Sequence, residues 1–257
     1  MVRGLYTAWT GMANEQKRLD IISNNLANAA TVGYKQESVT NQSFDHLLTI
    51  KIKDASEHFL DRPIGTMSLG VKMGEVYTDY EQGSLRETDN TYDLAIEGKG
   101  FFSVSVTDKD GNMTTQYTRD GSFTLSQDGY IVDMDGNRLQ GESGDLTIPE
   151  NTSDVLIDKD GSIYADGMNV GQVLITDFAD YDYLKKLGNN RYEALEGAGE
   201  TDTEAMVRQG FTEQSNVNVV SEMVDMIAVS RAYEANQKMI QTVDGTLDLA
   251  VNSVGKV

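Results

Sequence analysis

The sequence predicts an α+β protein in which N- and C-terminal helices form a coiled-coil or bundle layer and the central domain is antiparallel and β-rich. Three observations carry this prediction. Apolar residues recur at heptad spacing in the two ends, Asp-Gly pairs punctuate the middle, and residues 41–210 hold −18 of the net −20 charge of the 257-residue chain. A heptad period belongs to helices that pack along one another, whereas Asp-Gly between short β-branched or aromatic runs marks hairpins.

In the N-terminal segment Leu5, Met12, Leu19 and Leu26 occupy one heptad position, and Ala8, Glu15, Ile22 and Ala29 occupy its companion. All but Glu15 are apolar, which predicts an amphipathic helix weakened locally by Gly11. Thr31 and Val32 lower helix propensity and Gly33 can adopt the left-handed conformation that closes a helix, so the helix is expected to stop near Ala30. The C-terminal segment holds its register longer. Val219, Met226, Tyr233, Ile240, Leu247 and Val254 are consecutive apolar heptad positions, with Val229, Val243 and Ala250 among the companions and Glu222 and Asn236 interrupting them. Asn218 is placed to cap this helix, Glu222 and Asp225 suit its positive end, and Lys256 suits the other. Asp244-Gly245 is the misfit, because glycine inside a helix costs about 1 kcal/mol relative to alanine. A bend, a ragged end or close backbone packing is expected there.

Between the helices, Asp-Gly occurs at Asp110-Gly111, Asp120-Gly121, Asp128-Gly129, Asp135-Gly136, Asp160-Gly161 and Asp166-Gly167. The runs Ser122 to Ser126, Tyr130 to Asp133, Val155 to Asp158, Ser162 to Ala165 and Gln172 to Phe178 read as strands between these turns. Residues 36–75 are polar, without a sustained period and with Gly65, Gly70 and Gly74 near their end, and read as an extended connector. Residues 196–204 read as an exposed loop. The chain is therefore divided into a helix at 1–35, the connector at 36–75, a β-rich domain at 76–210 and a second helix at 211–257.

Composition narrows the chemistry. The absence of cysteine removes disulfides, thiolate nucleophiles and Cys-based zinc sites, leaving only His46 and His58, both in the connector and without a partner at metal-ligand spacing. The acidic balance argues against nucleic acid or an anionic membrane as partner. No apolar run approaches the roughly 20 residues of a membrane-spanning helix, and the N-terminus lacks the pattern of a secretory signal. Asp108/Asp110, Asp133/Asp135 and Asp158/Asp160 form Asp-x-Asp-Gly, which invites a calcium reading. Their glycines fall at the fourth position rather than the sixth, with no Glu at the twelfth, so tight turns with acidic flanks explain them better. Gly98-Lys99-Gly100 precedes Phe101-Phe102 and not a phosphate-cradling helix. No enzyme activity, cofactor, metal or small-molecule substrate is expected. A secreted β-rich carbohydrate-binding or carbohydrate-cleaving protein is the alternative, suggested by the aspartates and by twelve tyrosines that could stack on sugars.

The near-neutral, striped ends point instead to building. The two helices could pair within one chain, but two helices alone bury little surface, and packing against other copies is the completion this reading favours. A chain lacking residues 1–35 and 211–257 is then expected to remain a folded, monomeric β domain.

The stretch LDIISNNLANAATVGYK from Leu19 resembles the N-terminal signature of the bacterial flagellar rod and hook axial proteins. The resemblance continues through QGSLRETDNTYDLAIEGKGFF from Gln82, YTRDGSFTLSQDGYIVDMDGNRLQG from Tyr117 and QGFTEQSNVNVVSEMVDMIAVSRAYEANQKMIQTVD from Gln209, and is strongest with the basal-body rod subgroup. It implies a rod subunit that transmits motor torque, with an inner layer of terminal helices and an outward β domain. It also implies export through the flagellar type III apparatus and partners that are copies of itself and other rod and hook proteins. Ser23, Asn24, Asn25, Asn28, Thr31, Gly33 and Tyr34 carry over as structural and assembly residues. Ser215, Asn216, Val217, Asn218, Glu222, Met223, Arg231, Tyr233 and Glu234 match the closing motif. With the heptad residues Leu5, Met12, Leu19, Ile22, Leu26, Met226, Tyr233, Ile240, Val243 and Leu247, these define the expected assembly surface.

Overall fold

The computed structural model describes residues 2–44, 47–51, 62–107, 112–149, 152, 154–188, 190–201, 203 and 205–254. His46, His58, Asp108, Asp110, Gly111 and Lys256 lie outside these residues. The chain is α+β and divides into two units, one of Met1–Ala27, Glu37–Asp79 and Asn218–Val257, the other of Asn28–Gln36 and Tyr80–Val217.

In the first unit, helix α1 (Val2–Ala27) packs along helix α2 (Val219–Leu249). The pairing is antiparallel: a Cβ on Gly11 would stand 3.0 Å from Asn236 Nδ2, while Asn25 Nδ2 donates to Glu222 Oε2 at 3.4 Å. Most heptad positions are drawn out of solvent, although Val219 is exposed. Ala8, Ile22 and Val229 are buried, and Leu5, Met12, Leu19, Leu26, Met226, Tyr233, Ile240, Val243 and Leu247 are half-buried. Pairing within one chain is the alternative that the sequence left open, and half-burial leaves part of each stripe within reach of other molecules.

The stretch expected as a bare connector is also paired. Strand β1 (Glu37–Ser43) runs antiparallel to β4 (Val71–Thr78) with a bulge between Val39 and Asn41, and β2 (Leu47–Lys51) pairs with β3 (Arg62–Met67). Both β1 and β4 lie against α1, where Asn14 Nδ2 donates to Asn41 Oδ1 at 3.0 Å. These strands of mixed polarity lack the sustained apolar alternation by which a strand is read, yet backbone pairing satisfies their polar groups. At the ends, α1 stops at Ala27, three residues before Ala30, and α2 passes through Gly245 without interruption before a π-helix at Ala250–Val254.

The second unit contains β5 (Leu85–Glu87), β6 (Leu94–Glu97), β7 (Phe101–Thr107), β8 (Met113–Thr118), β9 (Thr124–Leu125), β10 (Ile131–Val132), β11 (Arg138–Gly141), β12 (Gly144–Asp145) and β13 (Val155–Ile157). It continues with β14 (Ser162–Ala165), β15 (Met168–Gln172), β16 (Ile175–Phe178), β17 (Leu184–Gly188), β18 (Arg191–Ala194), β19 (Glu200–Thr201), β20 (Met206–Gln209) and β21 (Phe211–Glu213). The main sheet runs β17-β18-β8-β7-β11-β10-β9, with β12 on β11 and β16 on β7, and its pairs are antiparallel. The Asp-Gly turns explain the short strands: Gly129, Gly136, Gly161 and Gly167 have φ of 79°, 86°, 80° and 80°, which glycine adopts without a side-chain clash. In the turn after β10, Asp133 Oδ1 accepts from the backbone N–H of Asp135 and Asn137 at 2.8 and 2.9 Å. That carboxylate closes a turn.

The core forms around Leu94, Ile96, Phe102, Val104, Phe123, Ile131, Leu139 and Ile163, and an aromatic cluster packs Phe101, Tyr117, Phe178 and Tyr192. Alternation on β7 sends Phe101 and Phe102 into different clusters, since neighbouring side chains point to opposite faces. Two phenols at the aromatic cluster titrate late. Burial, then the acceptance of its hydroxyl by Glu200 at 2.8 Å, holds Tyr117 well above the ordinary phenol range. Burial and then Asp177 at 2.7 Å push Tyr181 up to about 12. Because both folded values are raised, their contribution to stability is present below the unfolded phenol value of about 10 and is lost as pH rises towards 12 and beyond. Ultraviolet titration is expected to show Tyr117 and Tyr181 ionising only with alkaline unfolding, and Glu200→Gln should bring Tyr117 down.

Candidate assembly site

The Asn-rich segment spans the last turn of α1 and the turn that follows it. Asn25, buried in the last turn of α1, makes a two-point clasp on Glu37: its Nδ2 donates to the carbonyl at 2.8 Å and its Oδ1 accepts the N–H at 3.0 Å. A side-chain amide offers both a donor and an acceptor, so it can bond a backbone as another strand would. Asn28 accepts from the Thr31 hydroxyl at 3.3 Å and its carbonyl accepts from the Thr31 N–H at 3.1 Å, which turns the chain. Asn24 is exposed.

Gly33 has φ 67°, and a Cβ there would stand 2.4 Å from the backbone nitrogen of Asp120. Glycine is therefore required twice, for the left-handed conformation and for the close approach. Its N–H donates to the Glu213 carbonyl at 2.8 Å, and the preceding carbonyl, Val32, accepts from Asn190 Nδ2 at 2.9 Å. Tyr34 is buried, with Lys186 Nζ 4.4 Å from its ring centre. Asn216 Oδ1 accepts the N–H of Gln36 at 2.8 Å, and its Nδ2 donates to the Glu81 carbonyl at 3.3 Å.

Within the β-rich unit lies a buried carboxylate. Glu213, 1% exposed, accepts from Lys35 Nζ at 2.7 Å on Oε1 and from Arg119 Nη1 at 3.2 Å on Oε2, and the two cations are 1% and 4% exposed. The N–H of Gly83 adds a third bond at 2.9 Å. Lys35 also donates to the Glu81 carbonyl at 2.7 Å, and Arg119 Nη2 donates to the Gly98 carbonyl at 2.8 Å. Sequence reasoning gave Glu213, Arg119 and Lys35 no role. The available signal was their position inside the stretches that carried the family resemblance.

This network alters the boundaries drawn from sequence. Residues 28–36 and 211–217 belong to the β-rich unit, so removing 1–35 and 211–257 would delete Lys35 and Glu213 together and leave Arg119 buried without its carboxylate. Asn218 opens α2: its Oδ1 accepts from the N–H of Val220 and Ser221 at 3.1 and 3.2 Å. Such a cap contributes about 1 kcal/mol. Glu222 is buried against Asn25, which explains why a charged residue interrupts the apolar stripe.

Two substitutions follow from this geometry. Glu213→Gln leaves two buried cations short of their counter-ion and should lower the stability of the β-rich unit by about 3–5 kcal/mol, read as a fall in urea midpoint. Gly33→Ala should cost roughly 2–3 kcal/mol by the same measurement, because strain and a backbone clash act together.

Comparison with known proteins covers nearly the whole chain. Residues 5–35 match the family described as Flagella basal body rod protein, residues 95–165 the Flagellar hook protein FlgE/F/G D1 domain, and residues 208–253 the Flagellar basal body rod FlgEFG protein C-terminal. The chain is 36% identical to the flagellar basal-body rod protein FlgG of Buchnera aphidicola subsp. Schizaphis graminum, over 96% of this chain and 98% of that protein. It is 36% identical to FlgG of Caulobacter vibrioides, over 96% and 97%, and 31% identical to the flagellar hook-basal body complex protein FlhO of Bacillus subtilis, over the full length of both.

Proposed function

Because the chain belongs to the flagellar basal-body rod protein family, we propose that it is a structural subunit of the rod that joins its neighbours through its terminal helices. The observation that carries this is the end-to-end match to rod proteins, which includes both helical segments and the Asn-rich turn between α1 and β1. The role is mechanical: a subunit of a shaft transmits motor torque to the hook and filament through rigid contacts.

The helices form a coiled-coil layer in the assembled rod. A tube grows when each subunit offers one surface that fits a different surface on its neighbour, since such contacts propagate instead of closing. The acidic β-rich unit keeps the free chain apart from its copies by charge, while the nearly neutral helices crowd together at small Coulomb cost. Export through the flagellar type III apparatus delivers the subunit to the growing end, and its partners are copies of itself and other rod and hook proteins.

The test uses cells in which the gene is replaced. Purified basal bodies from wild-type cells should contain the chain by immunoblot, and cells lacking it should be non-motile with incomplete rods; normal rods in those cells would sink the reading. Ile240→Asp places a charge in the seam between α1 and α2 and should abolish incorporation while leaving the thermal unfolding of the β-rich unit unchanged. Incorporation of this variant at the wild-type level would mean that the helix pair plays no part in assembly.

A further inference from the structure

The last segment of the β-rich unit, residues 205–217, binds together stretches spread across the unit's sequence. Strand β20 pairs with β6 and β21 pairs with β5, both far earlier in the chain. Among the described residues, these are the ladder partners that β5 and β6 have. Strand β6 is the more dependent of the two. Leu94, Ala95 and Ile96 are at most 1% exposed, so the polar groups of this backbone lie out of water and must be paired. Between the two new strands, the Gly210 N–H donates to the Asp93 carbonyl and the Thr88 N–H donates to the Gly210 carbonyl, both at 2.8 Å. Val207 is buried in the core, and its N–H donates to the Lys159 carbonyl at 2.8 Å. Gln209 ties the loop before β6 to β13: its Nε2 donates to the carbonyls of Thr91 at 3.0 Å and Val155 at 2.9 Å, and its Oε1 accepts the Ile157 N–H at 3.1 Å. Glu213 then brings its carboxylate to Lys35 and Arg119.

We propose that residues 205–217 are a closing strap, without which the β-rich unit stays open. Two physical terms impose this. Carrying β6 into the core before β20 is in place would leave its N–H and C=O groups away from water without a ladder partner. Burying Lys35 and Arg119 before Glu213 arrives would leave cations in the interior without the carboxylate they share, and an uncompensated buried charge is among the costliest defects a fold can hold. The strap supplies the missing strand and the missing charge together. Residues 28–36 and the strap stand at opposite ends of the unit's sequence, so a chain emerging from either end holds an incomplete set until both are free. The strap follows from this geometry alone. Its use rests on the rod-subunit reading above: a subunit kept open in transit closes on arrival.

The test follows the purified full-length chain as it refolds from urea, by pulsed hydrogen exchange read by mass spectrometry on peptides from β6, from β7 and β8, and from β20 and β21. The expected result is protection of all three at a single rate. Protection of β7 and β8 ahead of β20 and β21 would show the unit closing without its strap and overturn the proposal. Gln209→Ala sharpens the comparison, since its side chain makes no hydrogen bond to β7 or β8. If strap docking closes the unit, this variant should slow protection of β7 and β8 roughly fivefold, together with that of the strap. An unchanged rate for β7 and β8, with only β20 and β21 delayed, would overturn the proposal as well. Should Gln209→Ala fail to refold, the order of protection in the wild-type chain decides alone. Because the measurement is made on the isolated chain, its outcome is separate from whether the chain is found in basal bodies, on which the rod reading stands.

Discussion

A buried carboxylate sets the terms for much of the β-rich unit. Taking Glu213 out of water is tolerable only with compensating charge and hydrogen bonds close at hand, and these come from Lys35, Arg119 and Gly83, far apart in sequence. Each must arrive at the same point. Lys35 can do so because Gly33 turns the chain beside Asp120, and Arg119 can do so because it follows directly on β8. The Asn-rich segment, β8 and β21 are thereby fixed against one another by electrostatic necessity. Hydrophobic burial supplies the bulk of the stabilisation elsewhere, in the cores around Phe101 and Phe102, but it is tolerant of small displacements in a way that a three-way ionic contact is not.

Legibility from sequence followed the same division. The helices were readable because heptad period and cap agreed: Asn218 caps α2, and the stripe residues from Leu5 to Leu26 and from Met226 to Leu247 are buried or half-buried. The hairpins were readable because glycine at positive φ leaves a visible Asp-Gly signature, and Ser162 to Ala165 forms a strand with the bounds given to it. The β1/β4 and β2/β3 ladders were not. Their apolar residues, such as Leu47, Leu48, Ile50, Val71 and Met73, keep no sustained alternation, their pairing is made by backbone groups that every residue carries, and nothing in side-chain pattern records such a bond. The Glu213 network was hidden for a related reason, since one glutamate among forty-one acidic residues looks like the rest until partners from distant segments surround it.

Helix α2 also shows why one periodicity can mask another. A stripe that faces α1 and a ridge that faces outward share the same turns, and together they leave the helix apolar on two sides near Val220 to Ile227. A reading that looks for one apolar face assigns the strongest stripe to the most demanding task. In this fold the strongest stripe is drawn in part into the pairing with α1, and the shorter ridge stays exposed.

The antiparallel helix pair carries polar side chains at two levels, Asn236 beside Gly11 and Glu222 against Asn25, fourteen residues apart on both helices (11 to 25 and 222 to 236). At about 1.5 Å per residue these levels are roughly 21 Å apart. Apolar stripes alone can slide by one turn and find nearly equivalent packing, as two greased rods can. With a polar side chain at each of these levels, a slip would press amide and carboxylate groups against hydrocarbon at both at once. The pair therefore resists shear along its length in the manner of a shaft keyed at two points, so that a load applied at one end is carried to the other without creep.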